Sequence, residues 1–156
     1  MNITNLLSPD RVICCENIGS KKRLLEEMAE LLGSSSQRLS HQEIFDALLN
    51  REKLGSTGLG KGVALPHGRM KSLESPVCAF IKVNDPVEFD ASDSQPVDLI
   101  FSLLVPEDST EEHLQVLSTI AEIFSDSTIC TALRGCDNDD CLLELLNLWE
   151  RQRISA

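Results

Sequence analysis

The feature that most constrains the fold is the run Val-Asp-Leu-Ile-Phe-Ser-Leu-Leu-Val at 97–105, bounded by Pro96 and Pro106. Nine residues are too few for a membrane-spanning helix, and the near-continuous apolar character predicts a central strand covered on both faces. The run at 77–83, rich in β-branched and aromatic residues, predicts a second strand, and shorter apolar stretches at 12–15 and 63–65 predict two more. Asn84, Asp85 and Pro86 predict a turn, 87–89 an edge strand, and 91–96 another turn.

Helices fill the intervals. Ser20 caps a helix with Leu24, Leu25, Met28, Leu31 and Leu32 on one face and Gly33 as its stop. Ser40 and Glu43 form a capping box for a second, with Ile44, Phe45, Leu48 and Leu49 as its apolar stripe. A third starts after Pro106, capped by Asp108 with Glu111 or Ser109 with Glu112, and buries Leu114, Leu117, Ile120, Ala121 and Phe124. A short helix at 128–133 and a last one at 137–151 close the chain, the latter facing Leu142, Leu145, Leu146 and Trp149 inwards. The 156 residues are expected to form one α/β domain over 1–156.

Between the second helix and the first of the long strands lies a segment of different character. Five glycines occur between Gly55 and Gly68, and the segment ends in Leu-Pro-His-Gly at 65–68. Arg51, Lys53, Lys61, Arg69 and Lys71 stand there against the single acid Glu52, in a chain with 14 basic and 25 acidic residues. A positive island in an acidic protein points to an anion, and glycine-rich backbone with an arginine fork suits a phosphoryl group. Neither Gly-x4-Gly-Lys-Ser/Thr nor a strand-to-helix Gly-x-Gly-x-x-Gly is present, which disfavours a nucleotide. The plainer alternative is a mobile loop with His67 beside it.

The remaining histidines divide. His41 opens the second helix, about 15 Å of helical rise from Arg51, and reads as a surface residue. His113 falls in the first turn of the third helix, just past the central strand, where open α/β sheets hold ligands; an exposed first-turn residue is the alternative. Arg51 itself has a second explanation as a cap on the last carbonyls of its helix.

A formal charge of −11 argues against non-specific nucleic-acid binding. No apolar run reaches the roughly 20 residues of a membrane span, and the first residues lack the basic start of a secretion signal, so a cytoplasmic protein without membrane insertion is expected. The six cysteines show no Cys-x-x-Cys pair and no zinc-finger histidine spacing. Reduced, packed thiols are expected, with no metal and no cofactor.

These residues carry a family resemblance. Glu52-x6-Leu59-Gly60-x2-Val63-Ala64-Leu65-Pro66-His67-Gly68 resembles the active-site signature of the mannitol/fructose-type EIIA proteins of the bacterial phosphotransferase system. Flanking features are similar to its nitrogen-regulatory branch: Ser-Lys-Lys-Arg at 20–23, the run from Arg51 to Gly58, Gln-Pro-Val-Asp-Leu at 95–99, Leu-Val-Pro at 104–106, His113 with Leu114, and Thr-Ile-Cys at 128–130. The resemblance spans nearly the whole chain. It implies a mixed β-sheet flanked by helices on both faces. It also implies a phosphoryl carrier in which His67 accepts the group from an HPr-type phosphocarrier, with phosphoenolpyruvate as original donor, and in which His113 and Arg51 stabilise the phosphoryl group.

Such a histidine attacks phosphorus through a neutral ring nitrogen while the other nitrogen carries the proton, and either ring nitrogen is open at this stage. Backbone N–H groups at 56–60 are expected to share the stabilising role with Arg51. The resemblance favours a regulator of nitrogen, carbon or potassium balance that binds kinase- or transporter-type targets according to its phosphorylation state. The alternatives are the soluble EIIA component of a fructose/mannitol-type transporter passing the group to an EIIB, and a binding module that needs no phosphorylation. Leu59, Val63 and Met70 are candidates for an apolar docking rim, and either a monomer or a dimer is compatible with the composition.

Overall fold

The computed structural model describes residues 3–34, 39–108 and 110–155; the side chains of Thr4, Cys15, Thr110, Glu112, His113 and residues 153–155 lie outside the described set. A short helix α1 (Ile3–Leu6) and a 3₁₀ turn (Pro9–Arg11) lead into β1 (Val12–Glu16). Helices α2 (Lys21–Gly33) and α3 (His41–Leu54) follow, then the short strands β2 (Gly58–Gly60), β3 (Val63–Ala64) and β4 (His67–Met70). The long strands β5 (Val77–Val87) and β6 (Val97–Pro106) complete the sheet, and α4 (Thr110–Phe124), α5 (Ser127–Arg134) and α6 (Asp139–Ser155) end the described chain.

The sheet is mixed, in the order β1-β5-β6-β3-β2, with β4 also paired to β6. The apolar run expected to be central is β6. It lies antiparallel to β5 on one side and, on the other, parallel to β3 and then β4. Alternate side chains of β6 enter two cores, because successive Cβ atoms point to opposite faces. Leu99, Phe101, Leu103 and Val105 join Phe80, Ile120, Phe124 and Leu142 on one face. There the Phe80, Phe101 and Phe124 rings lie 5.6–6.1 Å apart between centroids. Ile100 and Leu104 join Leu24, Met28, Ile44 and Leu48 from α2 and α3 on the other. The mixed sheet with helices on both faces is therefore the observed architecture.

The α2 and α3 caps form as expected, with Ser20 Oγ accepting from the Arg23 amide and Ser40 Oγ from the Glu43 amide, each at 3.1 Å. Four expectations need correction. The turn at Asn84, Asp85 and Pro86 does not interrupt the sheet: β5 runs through to Val87, with its register shifting between Lys82 and Val87, an irregularity that lets a proline sit inside a strand. The separate edge strand at 87–89 is absent, and Phe89 is instead a fully buried loop residue. Leu114 is 64% exposed, and the buried face of α4 is Val116, Ile120, Ile123 and Phe124; the alternative caps at Ser109 and Glu112 lie outside the described residues.

The fourth correction is in the cysteines. Cys78 and Cys130 are free and buried, but Cys136 and Cys141 form a disulfide. The sequence spacing of five gave no motif. The chain between α5 and α6 folds back so that the two Cα atoms are 5.6 Å apart, within bridging range.

Candidate functional site

His67 opens β4, directly opposite Leu103 in the β6 register. Residues 63–64 and 67–70 lie along the same edge of β6, separated by Leu65 and Pro66. Proline has no N–H to offer the ladder, yet the Pro66 carbonyl accepts from the Leu103 amide at 3.1 Å. The strand edge is thus broken on one side only, and the break places a half-buried His67 ring between β6 and the end of α3.

The ring is held at both nitrogens. His67 Nδ1 lies 2.7 Å from the Leu65 carbonyl. A carbonyl can only accept, so Nδ1 carries the proton. Arg51 Nε donates to His67 Nε2 at 3.2 Å, and its Nη1 donates to the Gly55 carbonyl at 2.8 Å. Nε2 therefore presents its lone pair toward the arginine. Burial holds the His67 pKa below its ordinary 6.5, and the positive charges of Arg51 and Arg69 act in the same direction against opposing contributions from the Leu65 carbonyl and Glu52. The imidazole is neutral at neutral pH and can act as a nucleophile at Nε2.

Arg51 comes from the last turn of α3. It reaches both a carbonyl just past the helix end and the His67 ring. Its neighbour Glu52 turns inward and is buried. Glu52 Oε1 accepts from the Thr57 amide at 2.8 Å and Oε2 from the Thr57 hydroxyl at 2.6 Å. Lys21, from the first turn of α2, lies 3.1 Å from Glu52 Oε1 and 4.6 Å from the centroid of the Phe89 ring.

The glycine segment is knit into the protein. The amides of Gly55, Thr57, Gly58 and Lys61 are occupied by the Glu52 carbonyl, Glu52 Oε1, Ser56 Oγ and Asp93 Oδ2, respectively. The expectation that the 56–60 backbone offers its N–H groups to a phosphoryl oxygen fails at Thr57 and Gly58 for this reason. Gly58 is needed for close approach, since a Cβ there would lie 2.6 Å from that of Ala91. Gly62 adopts φ +82°, and the Arg134 guanidinium fills the space beside it.

Of the residues expected around His67, Arg51 is in contact with it. His113 lies in the first turn of α4 after β6, and its side chain falls outside the described residues. His41 is exposed at the opposite end of α3. Of the proposed apolar rim, Leu59 is 45% exposed, whereas Val63 and Met70 are buried core residues. Leu54, next to the Arg51 turn, is 84% exposed and was not anticipated. Among the described residues, no three His, Cys, Asp or Glu side chains are grouped to hold a metal ion, and no single helix is long and apolar enough to cross a membrane.

In the sequence Glu52 stands as part of the signature and as the single acid of the basic segment, and Thr57 as one of the backbone donors at 56–60, with nothing that pairs the two side chains. Their signal was present in outline, because an acid placed one residue after Arg51 at a helix end must face a different side of the helix from the arginine.

A family model for "Phosphoenolpyruvate-dependent sugar phosphotransferase system, EIIA 2" matches residues 5–148. The nitrogen regulatory protein of Klebsiella oxytoca is 43% identical over 148 residues, covering 94% of this chain and 90% of that protein. The crystal structure of nitrogen regulatory protein IIA-Ntr from Neisseria meningitidis superposes with a TM-score of 0.87 at 46% identity, covering 92% of this chain and 98% of that one. Enzyme IIA for mannitol from Escherichia coli, in its complex with phosphorylated enzyme IIB, shares the fold with a TM-score of 0.76 at 20% identity, covering 91% and 99% of the two chains. The chain belongs to the EIIA 2 family of the phosphoenolpyruvate-dependent sugar phosphotransferase system, and its fold and sequence both align with that family's nitrogen-regulatory proteins.

Proposed function

We propose that this protein is a regulatory phosphoryl carrier that accepts the group on Nε2 of His67 from an HPr-type phosphocarrier, with phosphoenolpyruvate as original donor. The observation that carries this reading is the ring's hydrogen bonding: Nδ1–H is tied to the Leu65 carbonyl, and the Nε2 lone pair is aimed at Arg51. Nε2 attacks phosphorus as the bond from phosphorus to the carrier breaks, and the electron pair of that bond leaves with the carrier. The ring then bears positive charge, with its Nδ1–H still donating to Leu65. Arg51 transfers its N–H from Nε2 to a phosphoryl oxygen and offsets the charge there. His113, in the first turn of α4, supplies a further hydrogen bond to the group.

Similarity to nitrogen regulatory proteins at 43–46% identity supports a regulator over a sugar-transport component. The phosphorylation state of His67 then selects among target proteins of kinase or transporter type that govern nitrogen, carbon or potassium balance. Exposed Leu54 and Leu59 beside the basic segment supply apolar contact for docking. The chain acts as one domain in the cytoplasm. Intact-protein mass spectrometry at neutral to mildly alkaline pH, after incubation with phosphoenolpyruvate, enzyme I and the carrier, tests the reading. The wild type is expected to gain one acid-labile phosphoryl group and His67→Ala none. An unmodified wild type beside a demonstrably active carrier would refute it.

A further inference from the structure

The two groups that hold the His67 ring are themselves held by one short loop. Arg51 rests on the Gly55 carbonyl through Nη1 at 2.8 Å. Leu65, whose carbonyl accepts from Nδ1–H, is held in turn through its own amide, which donates to the Thr57 carbonyl at 3.0 Å. Gly55 and Thr57 bracket a loop of residues 55–57, and the side chain that spans this loop is Glu52. Its two oxygens take both donors of Thr57, the amide and the hydroxyl, at 2.8 and 2.6 Å. Glu52 and Thr57 are 7% and 4% exposed, so water does not replace these bonds readily. Lys21 supplies the countercharge from α2 at 3.1 Å, and the Ser56 hydroxyl ties the same loop to the Phe89 carbonyl at 2.8 Å.

We infer that Glu52 is a positioning residue for phosphoryl transfer: by clamping Thr57 it fixes the loop whose Gly55 and Thr57 carbonyls orient Arg51 and Leu65, and through them the tautomer and direction of the His67 ring. Two paths of hydrogen bonds leave the clamp and meet at the two nitrogens of one imidazole. Glu52 orients the ring through this loop, in addition to the direct pull of its charge on the His67 proton. Lys21 neutralises the carboxylate, which keeps a bare negative charge from facing an incoming anion. This inference rests on the carrier reading for its kinetic consequence, but the orientation of the ring is independent of it.

The test uses the full chain with Glu52→Gln, Thr57→Val and Thr57→Ser, and Leu142→Ala as a control that weakens the core on the opposite face of the sheet. Glutamine keeps the shape of Glu52 but turns an N–H₂ toward a Thr57 donor; valine removes only the hydroxyl; serine restores it. Glu52→Gln is expected to lower kcat for phosphorylation by the HPr-type carrier by about 10- to 100-fold with little change in the apparent KM for the carrier. Thr57→Val should show a smaller loss, and Thr57→Ser should return to wild type. Nitrogen-15 NMR of the His67 ring at neutral pH should show the Nδ1–H form in wild type and Thr57→Ser, and a mixture of tautomers in Glu52→Gln and Thr57→Val.

Wild-type kcat and a wild-type ring spectrum in both Glu52→Gln and Thr57→Val would overturn the inference. So would a fall in kcat that Leu142→Ala matches while the ring spectrum stays unchanged, since that is the mark of lost stability alone. If Glu52→Gln does not fold, the Thr57 pair decides. If the wild type takes no phosphoryl group from an active carrier, the carrier reading fails, and the ring spectra still decide for or against the clamp.

Discussion

The glycine segment is pinned by two charged side-chain clusters, and they work in different surroundings. At one end, Glu52 is buried, with side-chain exposure of 3%, and grips Thr57 and Lys21. At the other, Asp98 receives Arg134 through Nε and Nη2 at 2.8–3.1 Å, and Arg134 Nη2 also donates to the Lys61 carbonyl at 2.8 Å. The side chains of that second pair are 35% and 20% exposed for Arg134 and Asp98. The chemistry is the same, a carboxylate with a cation and backbone groups. Burial makes the difference. Removing a partner from the first strands donors away from water, whereas water can replace much of the second. The first also leads to His67, while the second steadies a turn.

The largest separation between the two should appear in stability. Glu52→Ala is expected to cost about 2–4 kcal/mol in urea unfolding, since both Thr57 donors lose their acceptor and Lys21 falls back on the exposed Asp90, 3.6 Å away. Equal losses for Glu52→Ala and Asp98→Ala would break the comparison. Gly62→Ala comes next, at about 1–2 kcal/mol. Its backbone is at φ +82° and its new methyl would lie 2.9 Å from Asp98 Oδ1 and collide with Arg134. In an Asp98→Ala background part of that penalty should vanish, a non-additivity that a double-mutant cycle reads directly. Asp98→Ala alone should cost about 1 kcal/mol or less and leave phosphorylation of His67 within about twofold, as expected for a pin that does not reach the ring.

The smallest effect is the pH dependence of His67. Its folded pKa lies below the ordinary 6.5, chiefly through burial, so the unfolded chain binds this proton more readily. Stability from the neutral ring is present above the unfolded pKa and is lost as pH falls through the folded one. A proton NMR titration should place the His67 midpoint below 6.5, and His67→Gln should flatten the corresponding fall in the urea midpoint between neutral and mildly acidic pH. A His67 midpoint above the ordinary value would contradict the geometry of a ring pressed between β6 and Arg51.

Much of the fold was legible because its signals are local. The nine-residue apolar run became β6 with both faces buried, and the serines at 20 and 40 became helix caps. The short strands β2 and β4 were not legible: Gly-Leu-Gly and His-Gly-Arg-Met have no apolar alternation, and they are strands only because β3 and β6 offer partners. Leu114 fits a helical stripe by spacing, yet α4 rolls onto the Phe80 and Phe101 layer through Val116, Ile120 and Phe124 and leaves it outside. The Cys136–Cys141 bridge arises where two helices meet, which spacing alone does not encode.

The sequence by itself determined the central strand, the helices and the segment that holds His67, because periodicity, caps and the Leu-Pro-His-Gly signature act over a few neighbouring residues, while the mixed sheet followed from the family resemblance. Tertiary structure decided which nitrogen of His67 is presented, because that depends on a carbonyl two residues back and an arginine sixteen residues back meeting one ring. It also decided that the glycine segment is a braced support whose amides at Gly55, Thr57, Gly58 and Lys61 are already bonded. Hydrogen bonds are directional and short, so only the folded arrangement fixes which donors are used within the protein and which groups face a ligand.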